Sequence, residues 1–166
     1  METYAGIGSR RAPSDILGLI TRIAGRLRED GKILRTGHAI GCDQAFEHGA
    51  GDRAQVFLPW KDYESDVEIK GQTYPIPCVA ALQLVEKFHP RPDRLSMAVT
   101  RLHARNCHIL LGPALDDPVS RVICFTLDEL RGGTSFGLRI AREYDIPVYN
   151  LADQGTFSSY WYGIAS

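Results

Sequence analysis

The sequence has no run approaching the roughly 18 to 20 apolar residues that a membrane-spanning helix needs. No basic-then-apolar leader opens the chain either, so a soluble, cytoplasmic protein is expected. Cysteine is sparse: Cys42, Cys78, Cys107 and Cys124 lie far apart without a C-x-x-C pair, which excludes a disulfide scaffold and predicts free thiols. The five histidines, His38, His48, His89, His103 and His108, lack zinc-site spacing such as H-E-x-x-H. No metal and no cofactor are expected. An excess of charge is lacking too: 19 Lys and Arg face 20 Asp and Glu, a formal net charge of -1. No global field therefore draws the chain toward nucleic acid or a membrane surface.

Two phosphate-binding signatures are missing as well. No G-x-G-x-x-G opens a helix about 20 residues ahead of an acidic ribose ligand, which excludes the ordinary dinucleotide fingerprint. No G-x-x-x-x-G-K-[ST] loop is present, which excludes that class of nucleoside triphosphatase. Internal repeats and low-complexity tracts are also absent. What remains is 166 residues, 44% hydrophobic and 23% charged, enough for one domain with a real core.

The elements read in a regular order. "ETYAGIG" is a strand ending in glycine, and a helix follows from Pro13 or Ser14 to Gly31, with Ile16, Leu19, Ile20, Ile23 and Leu27 on one face. "KILRTG" is a second strand, Cys42 to Gly49 a second helix, and "AQVFLPW" a third strand closed by Trp60. Strand, helix, strand, helix, strand with short links specifies parallel pairing through right-handed crossovers. The expected class is α/β, an open, mostly parallel sheet with helices on both faces. Residues 61 to 77 are polar, with two prolines and a glycine, and read as an irregular surface excursion. Helices are expected from about Val79 to Phe88 and from about Asp93 to Asn106. "RVICFTL" reads as a central strand, and glycine turn, helix and last strand complete a single domain over 1–151. Residues 152–166 form an aromatic tail without clear period, expected to dock on the body or on a partner subunit in a homodimer.

Three glycine-rich turns fall at carboxyl ends of strands: "GIGSR", "TGHAIGCD" and "RGGTSFG". In open parallel sheets ligands bind at such ends. One glycine turn alone is merely a tight link, but three at one edge point to phosphate, held by the free amides of helix amino termini. The ligand candidates are Gly8, Ser9 and Arg10, then Gly37, His38, Ala39 and Gly41, then Gly132, Gly133 and Thr134. Arg105, read near a helix end, is either a dipole partner or a further ligand. Trp60 is a candidate for stacking on a base, or else a packing anchor. Asp43 is either a helix cap or a partner for a ribose hydroxyl; Glu47, one turn later, shares its face. Two carboxylates there are the candidate catalytic pair for a glycosidic bond, whose oxocarbenium-like centre a negative charge stabilises.

Taken in order, "AGIGSR", "RTGHAIGCDQAFEHGA", "FLPW", "HARNCHILLG", "VICFTLDE" and "GGTSFGLRIAREYDIPVYNL" carry a resemblance. The chain resembles the Rossmann-like SLOG superfamily, which includes the DNA-processing protein DprA and the Lonely Guy phosphoribohydrolases, and more closely the compact DprA-like proteins often encoded by bacteriophages. The resemblance implies a nucleotide-binding fold whose three turns surround a phosphate-bearing ligand. In the Lonely Guy pattern PGGxGTxxE, Gly132, Gly133 and Thr134 match the phosphate-cradling part, but Ser135, Phe136, Gly137 and Leu138 follow and the glutamate has no counterpart.

The function expected is binding of a nucleotide or nucleotide-derived ligand, either as a sensor or sequestering protein or as a nucleoside-monophosphate N-glycosidase with Glu47 as nucleophile or base. The alternative is a DprA-like mediator that binds single-stranded DNA. A basic strip across one face favours the DNA reading, and a closed pocket of converging amides favours the nucleotide.

Overall fold

An apolar stripe on one helix starts the core. In helix α1 (Ser14–Glu29), Ile16, Leu19, Ile20, Ile23, Ala24 and Leu27 are all buried, at the spacing a single helical face requires. Asp15 in the first turn and Arg26 and Arg28 in the last complement the helix dipole. Strands β1 (Thr3–Gly8), β2 (Ile33–Thr36), β3 (Ala54–Phe57), β4 (Gln72–Tyr74), β5 (Val122–Phe125) and β6 (Val148–Asn150) form one sheet, and every pairing in it is parallel. The other helices are α2 (Cys42–Ala50), α3 (Val79–Phe88), α4 (Met97–Leu111), α5 (Gly133–Glu143) and α6 (Gln154–Ala165). The computed structural model describes residues 1–165, the side chains of 164 and 165 apart.

Because successive side chains of a strand face opposite ways, the sheet divides the core in two. Tyr4, Leu34, Val56 and Ile123 pack with α1 and with Phe46 of α2. Ala5, Ile7, Val122 and Cys124 pack with Cys107 to Leu111 of α4 and with Phe136, Leu138 and Ile140 of α5. The result is the expected α/β class, a three-layer, Rossmann-like arrangement. Its strand order is β4-β3-β2-β1-β5-β6. The chain winds outward from β1 to β4, then returns to place β5 on the other side of β1. Above the carboxyl ends of β1 and β5 neighbouring connections therefore diverge, and that crevice is where such sheets take ligands.

Four elements differ from the sequence reading. Residues 61–77 are not wholly irregular, since Gln72–Tyr74 adds strand β4 at the sheet edge. The expected helix from Asp93 is a short 3-10 turn over Pro92–Arg94 followed by α4, which Ser96 caps by accepting from the Val99 amide at 3.2 Å. Helix α4 runs on past Asn106 to Leu111, so Arg105 is a mid-helix residue. Strand β3 stops at Phe57, leaving Trp60 in the turn beyond it. The described part of the aromatic tail is helix α6, docked on α1 with Trp161 under the Arg22 guanidinium at 4.6 Å. All four cysteines are free thiols. No helix among the described residues is long and apolar enough to cross a membrane.

Candidate functional site

A cavity of about 280 Å³ opens above the divergence of β1 and β5. Gly8, Ser9 and Arg10 line it from the end of β1, Arg131, Gly132, Gly133 and Thr134 from the start of α5, and Ala39 and Asp43 from the β2–α2 turn. Leu102, Arg105 and Asn106 of α4 complete it with Ile7 and Thr126. Most of the sequence candidates thus meet in one place.

The first and third turns face each other with donors to spare. The Ser9 amide is committed to Phe125 O at 2.8 Å, and the Ser9 hydroxyl accepts from the Arg11 amide at 3.1 Å, which leaves its own hydrogen for a ligand. Helix α5 starts at Gly132 (φ 87) without a side-chain cap. Its first-turn amides have no intrahelical acceptor and point toward the cavity with the positive end of the helix dipole. Arg10 and Arg131 are exposed at the rim, and neither forms an ion pair with a described residue. Two unneutralised guanidiniums and a helix amino terminus thus meet around one cavity, the kind of arrangement that favours anions.

The middle turn works differently. Gly41 (φ 92) lies against the first turn so closely that a Cβ there would sit 2.6 Å from Ser9 O, and Cys42 N donates to Ser9 O at 3.2 Å. Gly37 makes room for Arg105, whose Nη1 donates to Gly37 O while its Nε donates to Asn106 Oδ1 at 2.9 Å. Asn106 Nδ2 in turn donates to Gly133 O at 3.1 Å. Arg105, only 5% exposed, and Asn106 therefore tie the second glycine turn to the third across the cavity. Gly37, Gly41 and His38 are not in the cavity lining.

The cavity floor carries a buried carboxyl. Asp43 is 4% exposed, accepts a long hydrogen bond from the Ala39 amide (3.4 Å), and is not ion-paired within 4 Å. Burial raises it to about 6, against the opposing pull of the Arg105 charge. Burial likewise lowers Arg105, so desolvation outweighs their mutual attraction at both groups.

Glu47 is elsewhere. His38, fully buried in a left-handed conformation (φ 64), approaches Glu47 Oε2 through Nδ1 at 2.8 Å and the Glu64 carbonyl through Nε2 at 3.0 Å. Burial pulls His38 down, but the Glu47 hydrogen bond and charge and the backbone carbonyls outweigh it, and its pKa is raised. The pair straps the 61–67 segment to α2. Glu47 does not line the cavity that holds Asp43. Trp60 stacks edge-on against Tyr63 at 5.4 Å and borders a separate hollow. Tyr63 itself lies 5.6 Å from the Arg105 guanidinium. His108 is satisfied in the core, with Cys78 N donating to its Nε2 and Gly112 O beside its Nδ1.

Sequence reasoning passed over Arg131, Asn106, Thr126 and Leu102 as site residues. Arg131 stands directly before the Gly132–Gly133 pair, and that position at a helix start was the available signal. Among the described residues, no cluster of three or more His, Cys, Asp or Glu side chains is placed to hold a metal ion.

Two solved structures share this architecture. The fold is similar to that of DNA processing protein A from Helicobacter pylori, a structure described for its single-stranded DNA binding mode, with a TM-score of 0.61 and 17% identity over 93% of this chain and 73% of that one. The chain has a DprA-like fold. It is similar also to DprA from Streptococcus pneumoniae, with a TM-score of 0.54 and 19% identity over 90% of this chain and 49% of that one, so it spans about half the length of that protein. No family model matches the sequence, and no curated protein matches it. At these identities the DprA-like resemblance is one of fold, and function has to be argued from the site.

Proposed function

We propose that this protein binds single-stranded DNA, seating a backbone phosphate between the Gly8–Arg10 turn and the Arg131–Thr134 turn. The observation that carries the reading is the pair of opposed donor sets, Ser9 and Arg10 against Arg131 and the start of α5, around one cavity at the strand ends. Phosphodiester recognition needs such a cluster of forked cations and free amides and no catalytic group. The rim is open to solvent on this side: residues 127–133 are all exposed, and Arg131 to Gly133 of that stretch line the cavity. The likeness to a DprA structure described for single-stranded DNA binding agrees with this reading.

The test uses a fluorescent oligo(dT) titrated with wild type, Arg10→Ala and Thr134→Ala. Wild type is expected to bind with strong salt dependence, and loss of one phosphate contact at Arg10 to flatten the log–log slope by about 0.7. Unchanged binding in both variants, with intact folding, refutes this seat for the phosphate.

A nucleotide-derived small molecule is the second reading, favoured by Asp43, a buried carboxyl that lines the same cavity and could accept from a ribose hydroxyl. The chain then acts as a sensor or sequestering protein. Were it a Lonely Guy-like N-glycosidase, the charge at the reacting centre falls to Asp43, because Glu47 is engaged by His38. A homodimer remains part of the proposal for either reading.

A further inference from the structure

A second hollow lies beside the phosphate cavity, on the same edge of the sheet. Pro59 and Trp60 follow the end of β3, Ile76, Pro77 and Leu82 come from the start of the α3 region, and Arg101 of α4 completes a recess of about 200 Å³. The two recesses are linked through Tyr63, whose ring is 5.4 Å from Trp60 of the hollow and 5.6 Å from the guanidinium of Arg105, which lines the cavity. Their chemistry differs. The cavity is walled by guanidiniums, glycine amides and hydroxyls, and the hollow by one indole, two prolines and two aliphatic chains with a single cation.

Ile76 is 67% exposed, so its side chain is open to solvent at the mouth of the hollow. Arg101 is exposed as well and forms no ion pair with a described residue. The Trp60 indole meets Tyr63 edge-on at 5.4 Å, and Tyr63 adjoins Glu64, whose carbonyl is held by His38 of the His38–Glu47 pair. An apolar, aromatic-walled slot next to an anion seat matches the alternation of base and phosphate along an unpaired strand.

We infer that this hollow seats an unpaired base of the strand whose phosphate occupies the cavity, with Trp60 as the stacking wall and Arg101 over the adjoining backbone. The inference rests on the single-strand reading and adds a base subsite to it. A duplex does not satisfy the slot, because its bases face one another, so the site selects single over double strands without reading sequence.

The experiment compares a dT 12-mer with a 12-mer of abasic tetrahydrofuran units, titrated into wild type, Trp60→Ala, Trp60→Phe and Arg10→Ala, each checked for folding by thermal melt. Wild type is expected to prefer dT over the abasic strand by about tenfold, the scale of one stacked base. Trp60→Ala binds both strands alike, at the abasic affinity, while Trp60→Phe keeps most of the preference. Arg10→Ala weakens both strands equally. If Trp60→Ala retains the full dT preference, the base subsite is overturned while the phosphate seat stands. If wild type binds neither strand, the single-strand reading falls and this inference with it.

Discussion

Replacing Asp43 with asparagine isolates the charge on the cavity floor. The carboxyl is held at about 6 rather than 3.8, because burial outweighs the pull of Arg105 and the Ala39 and Gly37 amides, with the Glu47 charge adding to the rise. In the unfolded chain it gives up its proton at lower pH than in the fold. The native state therefore binds the extra proton between about pH 4 and 6, and stability falls as pH rises through that window. The full cost of ionising the buried group is about 3 kcal/mol by neutral pH, and about half of that at pH 5. Asparagine keeps the shape and an acceptor for Ala39 but never ionises. The melting temperature of Asp43→Asn relative to wild type should thus rise by a few degrees, roughly 3 to 6 °C, from pH 5 to pH 7.5 for a chain of this size. Titrating groups remote from Asp43 are common to both proteins and cancel in the difference. An equal gap at both pH values refutes the account of Asp43 as a buried, destabilising charge. The same variant separates the two ligand readings. Removing a negative charge beside a phosphate strengthens oligonucleotide binding at pH 7.5, whereas removing a ribose partner weakens nucleotide binding.

Arg105→Ala leaves Gly37 O and Asn106 without their donor inside the fold, and is expected to cost roughly 3 kcal/mol in a denaturant melt, well beyond an exposed arginine. Gly41→Ala places a methyl 2.6 Å from Ser9 O at a left-handed backbone position, so it should destabilise by about 2 kcal/mol or more and weaken DNA binding through displacement of Ser9 and Arg10. Glu47→Gln removes the charge that keeps the His38 pKa high. Wild-type stability from this pair is full below about pH 6.5 and fades as pH rises through the higher folded value; the variant should lose that pH dependence and expose the 61–67 segment to protease, with oligonucleotide affinity unchanged. Loss of base release in Glu47→Gln, from a wild type that shows it, would restore Glu47 as a catalytic group.

The fold and the rim of the site were legible because they rest on local signals. The α1 stripe, the β-branched "VICF" strand and the glycine turns at strand ends each declare themselves within a few residues. The extent of α4 was not legible: His103 to Leu111 is buried on every side, so the helix shows no apolar period, and its stop is set by Gly112 at φ 86. Strand β4 was missed because it has only three residues, two of them exposed and polar, and only Tyr74 packs, stacked on Phe57 at 4.5 Å. Asp43 and Glu47 share a helix face by spacing, yet His38, turned by its left-handed backbone, takes Glu47 for the 61–67 strap. That partnership depends on a backbone angle that residue types do not encode. Arg105 carried the right neighbourhood from sequence, while its work as a tie between two turns needed the tertiary structure.

The most direct test is fluorescence anisotropy of a labelled dT 20-mer with wild type and Arg10→Ala, competed in turn by unlabelled single strand, by duplex of the same length and by nucleoside monophosphates. The account predicts that single strand displaces the label far better than duplex or mononucleotide, and that Arg10→Ala binds more weakly with a shallower salt slope. A wild type that ignores the 20-mer while a nucleotide raises its melting temperature would contradict it, and would assign the cavity to a small molecule instead.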